Sequence, residues 1–186
     1  LGMVGGQAVN IPPQSFFEKI ACCEEEFKEH LLADWKNGNS VYSSGGHAMK
    51  ALSKNFAQKL LWPDDVPEDS YTYFRLKEVG LKMVKIPSAK SYVRRAANFN
   101  DHLRRNRKFI GGREALKKYF SPDKVNNEFW IPPFLIAWHL LLEFLRKPLL
   151  TILYLLSLVL LRIINFKIKE FNPLYQPFRS TKNLIS

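Results

Sequence analysis

The sequence predicts an α/β domain followed by apolar, membrane-associated helices. Strand-like and helix-like patterns alternate up to about residue 125, which is typical of an α/β domain. Residues 130–164 are almost continuously apolar, although the mean hydropathy of the whole chain is only −0.20. The 186 residues carry a formal net charge of +11, which indicates an anionic partner such as nucleic acid, an anionic lipid surface or a phosphorylated substrate.

The first elements predicted are a strand at residues 3–9 and a long helix. Ser15 followed by Glu18 forms a capping box, in which each side chain bonds the other residue's backbone N–H. Helical spacing places a set of apolar residues on one buried face: Phe16, Ile20, Cys23, Phe27 and Leu31. It places a charged set on the solvated face: Glu24, Glu25, Glu26 and Lys28.

The chain contains two cysteines, Cys22 and Cys23, and they are adjacent. Neighbouring residues cannot close a disulfide without strained geometry, so a disulfide framework is excluded. Two cysteines side by side also do not make a zinc site. We therefore expect a small apolar pair on the first helix and a reducing compartment.

The middle of the chain predicts a turn at Asn37-Gly38, a helix at residues 49–60, and a second helix at residues 69–79 with Gly80 just beyond its end. Leu81, Met83 and Ile86 then predict a buried strand. Lys82 and Lys85 lie outside it.

A strongly basic helix follows that strand. Asn98 or Asn100 is expected to cap it, it runs through residue 108, and Gly111-Gly112 is expected to end it.

Two apolar segments follow, at residues 130–145 and 148–166. Residues 149–161 carry no charge, and a span needs about 20 residues, so residues 148–166 are just long enough to cross a bilayer. The first segment, residues 130–145, contains Pro132-Pro133 and Glu143, which suit a helix that lies in the headgroup region. Two buried core helices are a further alternative. The aromatic and basic tail after residue 166 suits a membrane surface.

An acidic pair and a basic helix are the candidate site. Glu68 and Asp69 stand at a helix start, where the helix dipole and free backbone N–H groups stabilise an ionised carboxylate. Arg104 and Arg107 lie about one turn apart and can grip a doubly charged leaving group. Together these residues indicate chemistry on a diphosphate-activated sugar.

The chain from about residue 1 to 120 resembles the C-terminal half of the catalytic domain of family 2 glycosyltransferases, which are inverting enzymes with a GT-A fold. The resemblance depends on an ordered series: Gly45-Gly46-His47-Ala48-Met49, Glu68-Asp69-Ser70-Tyr71, Arg75-Leu76-Lys77-Glu78-Val79-Gly80, Ile86-Pro87-Ser88-Ala89, and Arg104-Arg105-Asn106-Arg107-Lys108. It implies an acceptor-side GT-A portion at residues 1–125 and a membrane-associated segment with a basic tail at residues 126–186.

The resemblance also implies roles for the candidate residues. Asp69 would be the general base and Glu68 would orient it or contact the acceptor. Arg104 and Arg107 would bind the departing diphosphate together with Mg²⁺ or Mn²⁺. The acceptor site would include three further residues: Gly45, Gly46 and His47. The partners implied are a nucleotide-diphosphate sugar, a lipid- or saccharide-linked acceptor, and a membrane.

The series departs from the family pattern at two positions. Arg104 stands where the family has glutamine and Lys108 where it has tryptophan, which is unlike the polymer synthases. The Asp-x-Asp element that holds the metal is absent from this sequence and precedes this region in the family. We therefore expect a nucleotide-binding half upstream, and no transferase activity from these 186 residues alone.

Two other functions compete with glycosyl transfer. A membrane-anchored binding or scaffold module could dock its basic helix on anionic lipid. Nucleic-acid binding is not expected, because a duplex-binding protein does not need an apolar segment and no standard nucleic-acid motif is present. The expected location is the membrane, with the catalytic domain on the cytoplasmic side.

Overall fold

The computed structural model describes residues 1–44 and 49–164. Within them lie three strands: β1 (Met3–Asn10), β2 (Lys50–Leu52) and β3 (Met83–Val93). The helices described are α1 (Phe16–Asp34), α2 (Lys54–Ala57), α3 (Glu68–Glu78), α4 (Phe99–Leu116), α5 (Pro122–Phe129), α6 (Pro133–Arg146) and α7 (Pro148–Ile164). The fold is therefore mixed α/β, with a small sheet and mostly helices.

The sheet has the order β2-β1-β3, so β1 is its central strand. β1 pairs antiparallel with β2 and parallel with β3. The predicted strand at residues 3–9 is confirmed. Gly6 lies where the β1–β3 register shifts, and a Cβ added there would meet the Ala89 carbonyl oxygen at 2.4 Å. Only glycine permits this close approach of two backbones.

The strand after Gly80 is confirmed, but the predicted burial of Ile86 is wrong. Met83 is buried and packs in the core, whereas Ile86 is exposed. The register runs from Gly5 opposite Lys85 to Gln7 opposite Lys90, so the intervening part of β3 bulges away from β1. Pro87 lies in this bulge, and its missing N–H prevents it from joining a regular ladder.

The helix predicted at residues 49–60 is also wrong. This segment forms the strand β2 and then the four-residue helix α2. Met3, Val4 and Gly5 of β1 pair with β2, and Ser53 N donates to Gly2 O at 2.9 Å. Pairing with the distant strand β1 decides the conformation here and overrides the local helical preference.

The long helix α1 begins as predicted. Ser15 caps it, and both bonds of the capping box with Glu18 are present. Four of the five residues predicted for the buried face are buried, but Phe16 is exposed. The prediction that Glu24 is solvated is wrong, because its side chain is only 5% exposed and Glu25 is 18% exposed.

Helix α3 and its end agree with the prediction, because Val79 is the C-cap and Gly80 follows with φ +69°. Asn98 caps α4 as expected. Gly111-Gly112 does not end α4, which continues to Leu116 with both glycines buried. Leu116 is 0% exposed, and its burial offsets the cost of about 1 kcal/mol for each helical glycine.

Two apolar clusters hold the helices. The sheet core contains the fully buried Met3, Leu76, Leu116 and Val125 and an aromatic group: Tyr71, Tyr73, Phe74, Phe120 and Phe129. A second cluster joins α1 to α6 and α7 through Phe27, Leu31 and Tyr154. Because Val125 and Phe129 of α5 lie in the sheet core, the apolar outer layer consists of α6 and α7 alone.

One helical stretch, Pro122–Arg146, is long and apolar enough to cross a membrane. It comprises α5 and α6 and is interrupted at residues 130–132. The span predicted at residues 148–166 extends beyond the described residues. Its described part is the apolar helix α7, which comprises 17 residues.

Candidate functional site

The acidic pair stands at the first turn of α3. Pro67 precedes the helix, so Asp69 lies inside the helix and is not its N-cap. The side chain of Glu68 is 73% exposed and that of Asp69 is 24% exposed. Tyr71, Phe74 and Leu76 of α3 are buried in the sheet core, and they fix the helix behind the carboxylates. The pair is therefore an open acidic site on a rigid support.

Lys50 of β2 completes this site. Its Nζ forms an ion pair with Asp69 and lies 3.4 Å from Glu68 Oε1. Sequence reasoning missed Lys50, because its position beside Asp69 depends on the pairing of β2 with β1 and no local signal reports that pairing.

The loop before β2 also reaches the acidic pair. Ser44 Oγ donates to the backbone oxygen of Asp69 at 3.5 Å and to Val41 O at 2.8 Å. The residues predicted for the acceptor site lie outside the described residues: Gly45, Gly46 and His47. The described residues on both sides of this gap, Ser44 and Lys50, contact Asp69.

The predicted diphosphate-binding arginines are on the outer side of α4. The side chain of Arg104 is 57% exposed and lies 3.9 Å from Asp101 of its own helix, and Arg107 is also exposed. The contact of Arg104 that the structure describes is thus with Asp101 and not with Asp69. Both side chains are exposed on α4, and their role in binding the diphosphate stays a prediction.

Arg105, between them, has a different environment. Its Nη2 lies 2.9 Å from Glu24 Oε1 and 2.8 Å from Glu25 Oε1 on α1. Arg95 Nη1 lies 3.2 Å from Glu25 Oε2, and His102 Nε2 lies 3.5 Å from Glu24 Oε2. These five residues, with Lys28 beside Glu24, are called the α1–α4 ion cluster below.

Burial does not neutralise the two carboxylates of the cluster. Burial alone would raise the pKa of Glu24, but Lys28 and Arg105 outweigh it and lower that pKa. The same balance lowers the pKa of Glu25. Burial lowers the pKa of His102, and its two ring nitrogens have no hydrogen-bond partner. The cluster fixes the rotation of α4 on α1 and so turns Arg104 and Arg107 outward.

The two cysteines are free and buried, as predicted. Burial is the main cause that raises the pKa of Cys23 to about 11, and Glu143 adds to it. Cys23 Sγ lies 3.7 Å from Glu143 Oε1 of α6. A buried thiol with a raised pKa is a poor nucleophile, so these residues are part of the α1–α6 packing.

The described residues do not fit the implied Mg²⁺ or Mn²⁺. Within residues 1–44 and 49–164, no group of three or more metal-binding side chains comes together. At the acidic pair, the cation in contact with Asp69 and Glu68 is Lys50. No step of a reaction is therefore assigned here to a metal.

A cleft of about 830 Å³ lies between α2 and the outer side of α3, lined among others by Lys54, Phe56, Tyr71 and Arg75. Neither residue of the acidic pair lines it. Glu78 is the acidic residue that lines the cleft, and it pairs with Arg75, which also donates to the Tyr71 hydroxyl.

Comparison of the chain with protein-family models, with curated proteins and with solved structures finds no match. The functional argument therefore depends on the residues of the site.

Proposed function

We propose that this chain is the acceptor-side, C-terminal part of a membrane-associated inverting glycosyltransferase of the GT-A fold. Its substrates would be a nucleotide-diphosphate sugar and an acceptor hydroxyl on a lipid or saccharide. The observation that carries the proposal is the acidic pair: Asp69 and Glu68 project from the first turn of α3, beside Lys50 and Ser44. The ordered series of motifs that resembles family 2 supports the same reaction.

The proposed reaction is a direct displacement. The Asp69 carboxylate accepts the proton of the acceptor hydroxyl as that oxygen attacks the anomeric carbon. The bond from the anomeric carbon to the diphosphate oxygen breaks on the opposite face, and the nucleoside diphosphate leaves with the bonding electrons. Arg104 and Arg107 stabilise the negative charge on it. Glu68 orients Asp69 or contacts the acceptor, and the ion pair with Lys50 holds the Asp69 carboxylate in position.

The proposed location is the membrane, with the catalytic domain on the cytoplasmic side. The apolar helices α6 and α7 support membrane attachment, and the free, reduced Cys22 and Cys23 agree with a reducing compartment. A cytoplasmic site would also give access to nucleotide sugars.

The replacement of Asp69 by asparagine tests the mechanism in the complete protein, including the upstream half. Asp69→Asn is nearly isosteric and keeps the hydrogen-bonding capacity of the side chain, but it removes the base. We expect turnover, measured as release of the nucleoside diphosphate over a panel of nucleotide sugars, to fall by roughly 100-fold or more. Binding of the nucleotide and the unfolding midpoint should change little.

The matched control is Asp64→Asn, the same chemical change at an exposed aspartate five residues earlier. This variant should keep normal turnover. If Asp69→Asn also kept near-normal turnover, Asp69 would serve only the electrostatics of the helix start, and the mechanism would be wrong.

The second candidate, a membrane-anchored binding module, is supported by the exposed basic residues of α4. For that function, Arg104→Ala with Arg107→Ala would weaken binding to anionic vesicles, and Asp69→Asn would have no effect on any activity. For a glycosyltransferase, Asp69→Asn should instead abolish turnover of the nucleotide sugar.

A further inference from the structure

Helix α7 combines a partly polar inner face with an exposed outer face of large apolar residues. Toward the protein it buries Thr151, Tyr154, Ser157 and Leu161, and partly buried leucines of the same helix pack beside them. Its exposed outer face carries Arg162 near the end of the helix and is otherwise apolar: Ile152, Leu155, Leu156, Val159, Leu160 and Ile163. In a water-soluble protein, a surface helix exposes polar residues on its outer side.

Helix α6 has a similar arrangement. The residues that it buries are His139 and Glu143, one turn apart. Partly buried leucine and isoleucine side chains of α6 pack beside them against the second apolar cluster. His139 Nε2 lies 3.0 Å from Asp34 Oδ2, and Glu143 lies against Cys23. The exposed side carries large apolar residues: Phe134, Trp138, Leu141, Phe144 and Leu145. The two outer sides form one apolar surface, called the α6–α7 outer face below. Exposed apolar surfaces of this extent mark sites of association.

The chemistry around the α6–α7 outer face fits lipid. Trp130 and Trp138 are exposed, and indole rings favour the boundary between headgroups and acyl chains. Arg146 and Lys147 stand at the junction of the two helices, and Arg162 is near the end of α7. These cations, in a chain of net charge +11, complement anionic headgroups.

The packing on α1 determines how these helices can meet the bilayer. α6 and α7 both pack against α1. The junction is tied to α1 by an ion pair between Lys147 and Glu26 and by a 3.3 Å contact between Arg146 and His30. On its other side α1 carries the α1–α4 ion cluster. If α7 crossed the bilayer, α1 and these charges would enter the hydrocarbon, where charged groups are strongly disfavoured.

The packing of α7 supports the same arrangement. One side of α7 is covered by protein, so lipid can reach only the outer side.

We propose that α6 and α7 lie in the plane of the membrane, with the α6–α7 outer face inserted in the acyl chains of one anionic leaflet and α1 on the aqueous side. This arrangement rests on the membrane association proposed above. Both ends of the α6–α7 pair then lie on the same side of the membrane, and the chain does not cross it in this region.

Flotation with vesicles tests the inserted face. The full chain, exchanged from detergent, is mixed with phosphatidylcholine vesicles containing a minority of phosphatidylglycerol. We expect the protein to float with the vesicles and to stay bound at high salt. The double change Leu156→Glu with Leu160→Glu should abolish flotation, and Leu61→Glu, at an exposed leucine outside the face, should not. Circular dichroism in detergent verifies that each variant is folded.

Site-directed labelling tests the in-plane arrangement. Asp123→Cys before α6 and Ser180→Cys after α7 are each exposed to a membrane-impermeant maleimide in intact and in opened cells. The unmodified chain, with Cys22 and Cys23 buried, is the background control. We expect both sites to react on the same side of the membrane.

Three outcomes would overturn the proposal. Labelling on opposite sides, in a protein that still floats, means that the region spans the membrane. Flotation that survives both leucine changes and disappears at high salt means headgroup binding alone. A protein that does not float but dimerises with concentration means that a second copy covers the face. None of these outcomes depends on turnover. The in-plane arrangement and the proposed glycosyl transfer are therefore tested independently.

Discussion

The α1–α4 ion cluster and the α6–α7 outer face distribute polarity in opposite ways. In the first, charged side chains are buried, with Glu24 and Glu25 held by Arg105, Arg95 and Lys28. In the second, large apolar side chains are exposed. Burial is tolerated in the cluster because each carboxylate has a cation in contact. Exposure on the outer face becomes favourable only when a nonaqueous phase covers it. Residue type alone therefore does not determine which side of an element is inside.

The largest effect is expected from breaking the cluster. Arg105→Ala removes a cation that contacts both Glu24 and Glu25 and leaves the two carboxylates buried, so the free energy of unfolding should fall by about 3–5 kcal/mol. Urea titration in mild detergent measures it. The matched control is Arg104→Ala in the preceding position, where the exposed side chain should contribute less than about 1 kcal/mol. If Arg105→Ala and Arg104→Ala lowered the free energy of unfolding by equally small amounts, the cluster would be solvated.

The next largest change in stability is expected from a substitution on the inner face of α7, compared with the same substitution on its outer face. Leu161 is 2% exposed on the inner face, and Leu161→Ala should lower the free energy of unfolding by about 2–5 kcal/mol. Leu156→Ala, the same change on the outer face, should alter it by less than about 0.5 kcal/mol in detergent. Instead it should weaken vesicle binding. The comparison fails if Leu156→Ala destabilises the protein as much as Leu161→Ala does.

The pH dependence of stability should be smaller near neutrality and should grow on acidification. The pKa of His102 is lowered from 6.5, so below pH 6.5 the unfolded chain binds a proton that the folded protein does not, and stability falls. The lowered pKa values of Glu24 and Glu25 add a second loss below pH 4.5.

Urea titration from pH 8 down to about pH 2.5 measures both losses. His102→Gln should remove the loss that begins near pH 6.5 and keep the second. A curve that is unchanged by this substitution would exclude His102 as its cause.

Local patterns predicted the elements whose signals are local. The capping box of Ser15 and Glu18, the Asn98 cap and Gly80 after α3 each act within a few residues, and the structure has all of them. The acidic pair at the start of α3 was also predicted from such a signal. Predictions were wrong where a distant segment decided the outcome, as at β2, at Ile86 and at Gly111-Gly112.

The candidate site divides in the same way. Glu68, Asp69, Arg104 and Arg107 could be selected from the sequence, because helix starts and one-turn spacing are local properties. Lys50 could not, since it reaches Asp69 only through the pairing of β2 with β1.

The sequence by itself determined that an α/β region precedes an apolar one, that the chain is basic, and where most helices begin. These properties depend on composition and on contacts within a turn or two. Only the tertiary structure decided that Arg105 of α4 pairs with carboxylates of α1, that Glu24 is buried, and that the apolar side of α7 faces outward. Those features depend on which surfaces meet, and residues far apart in the chain determine that together.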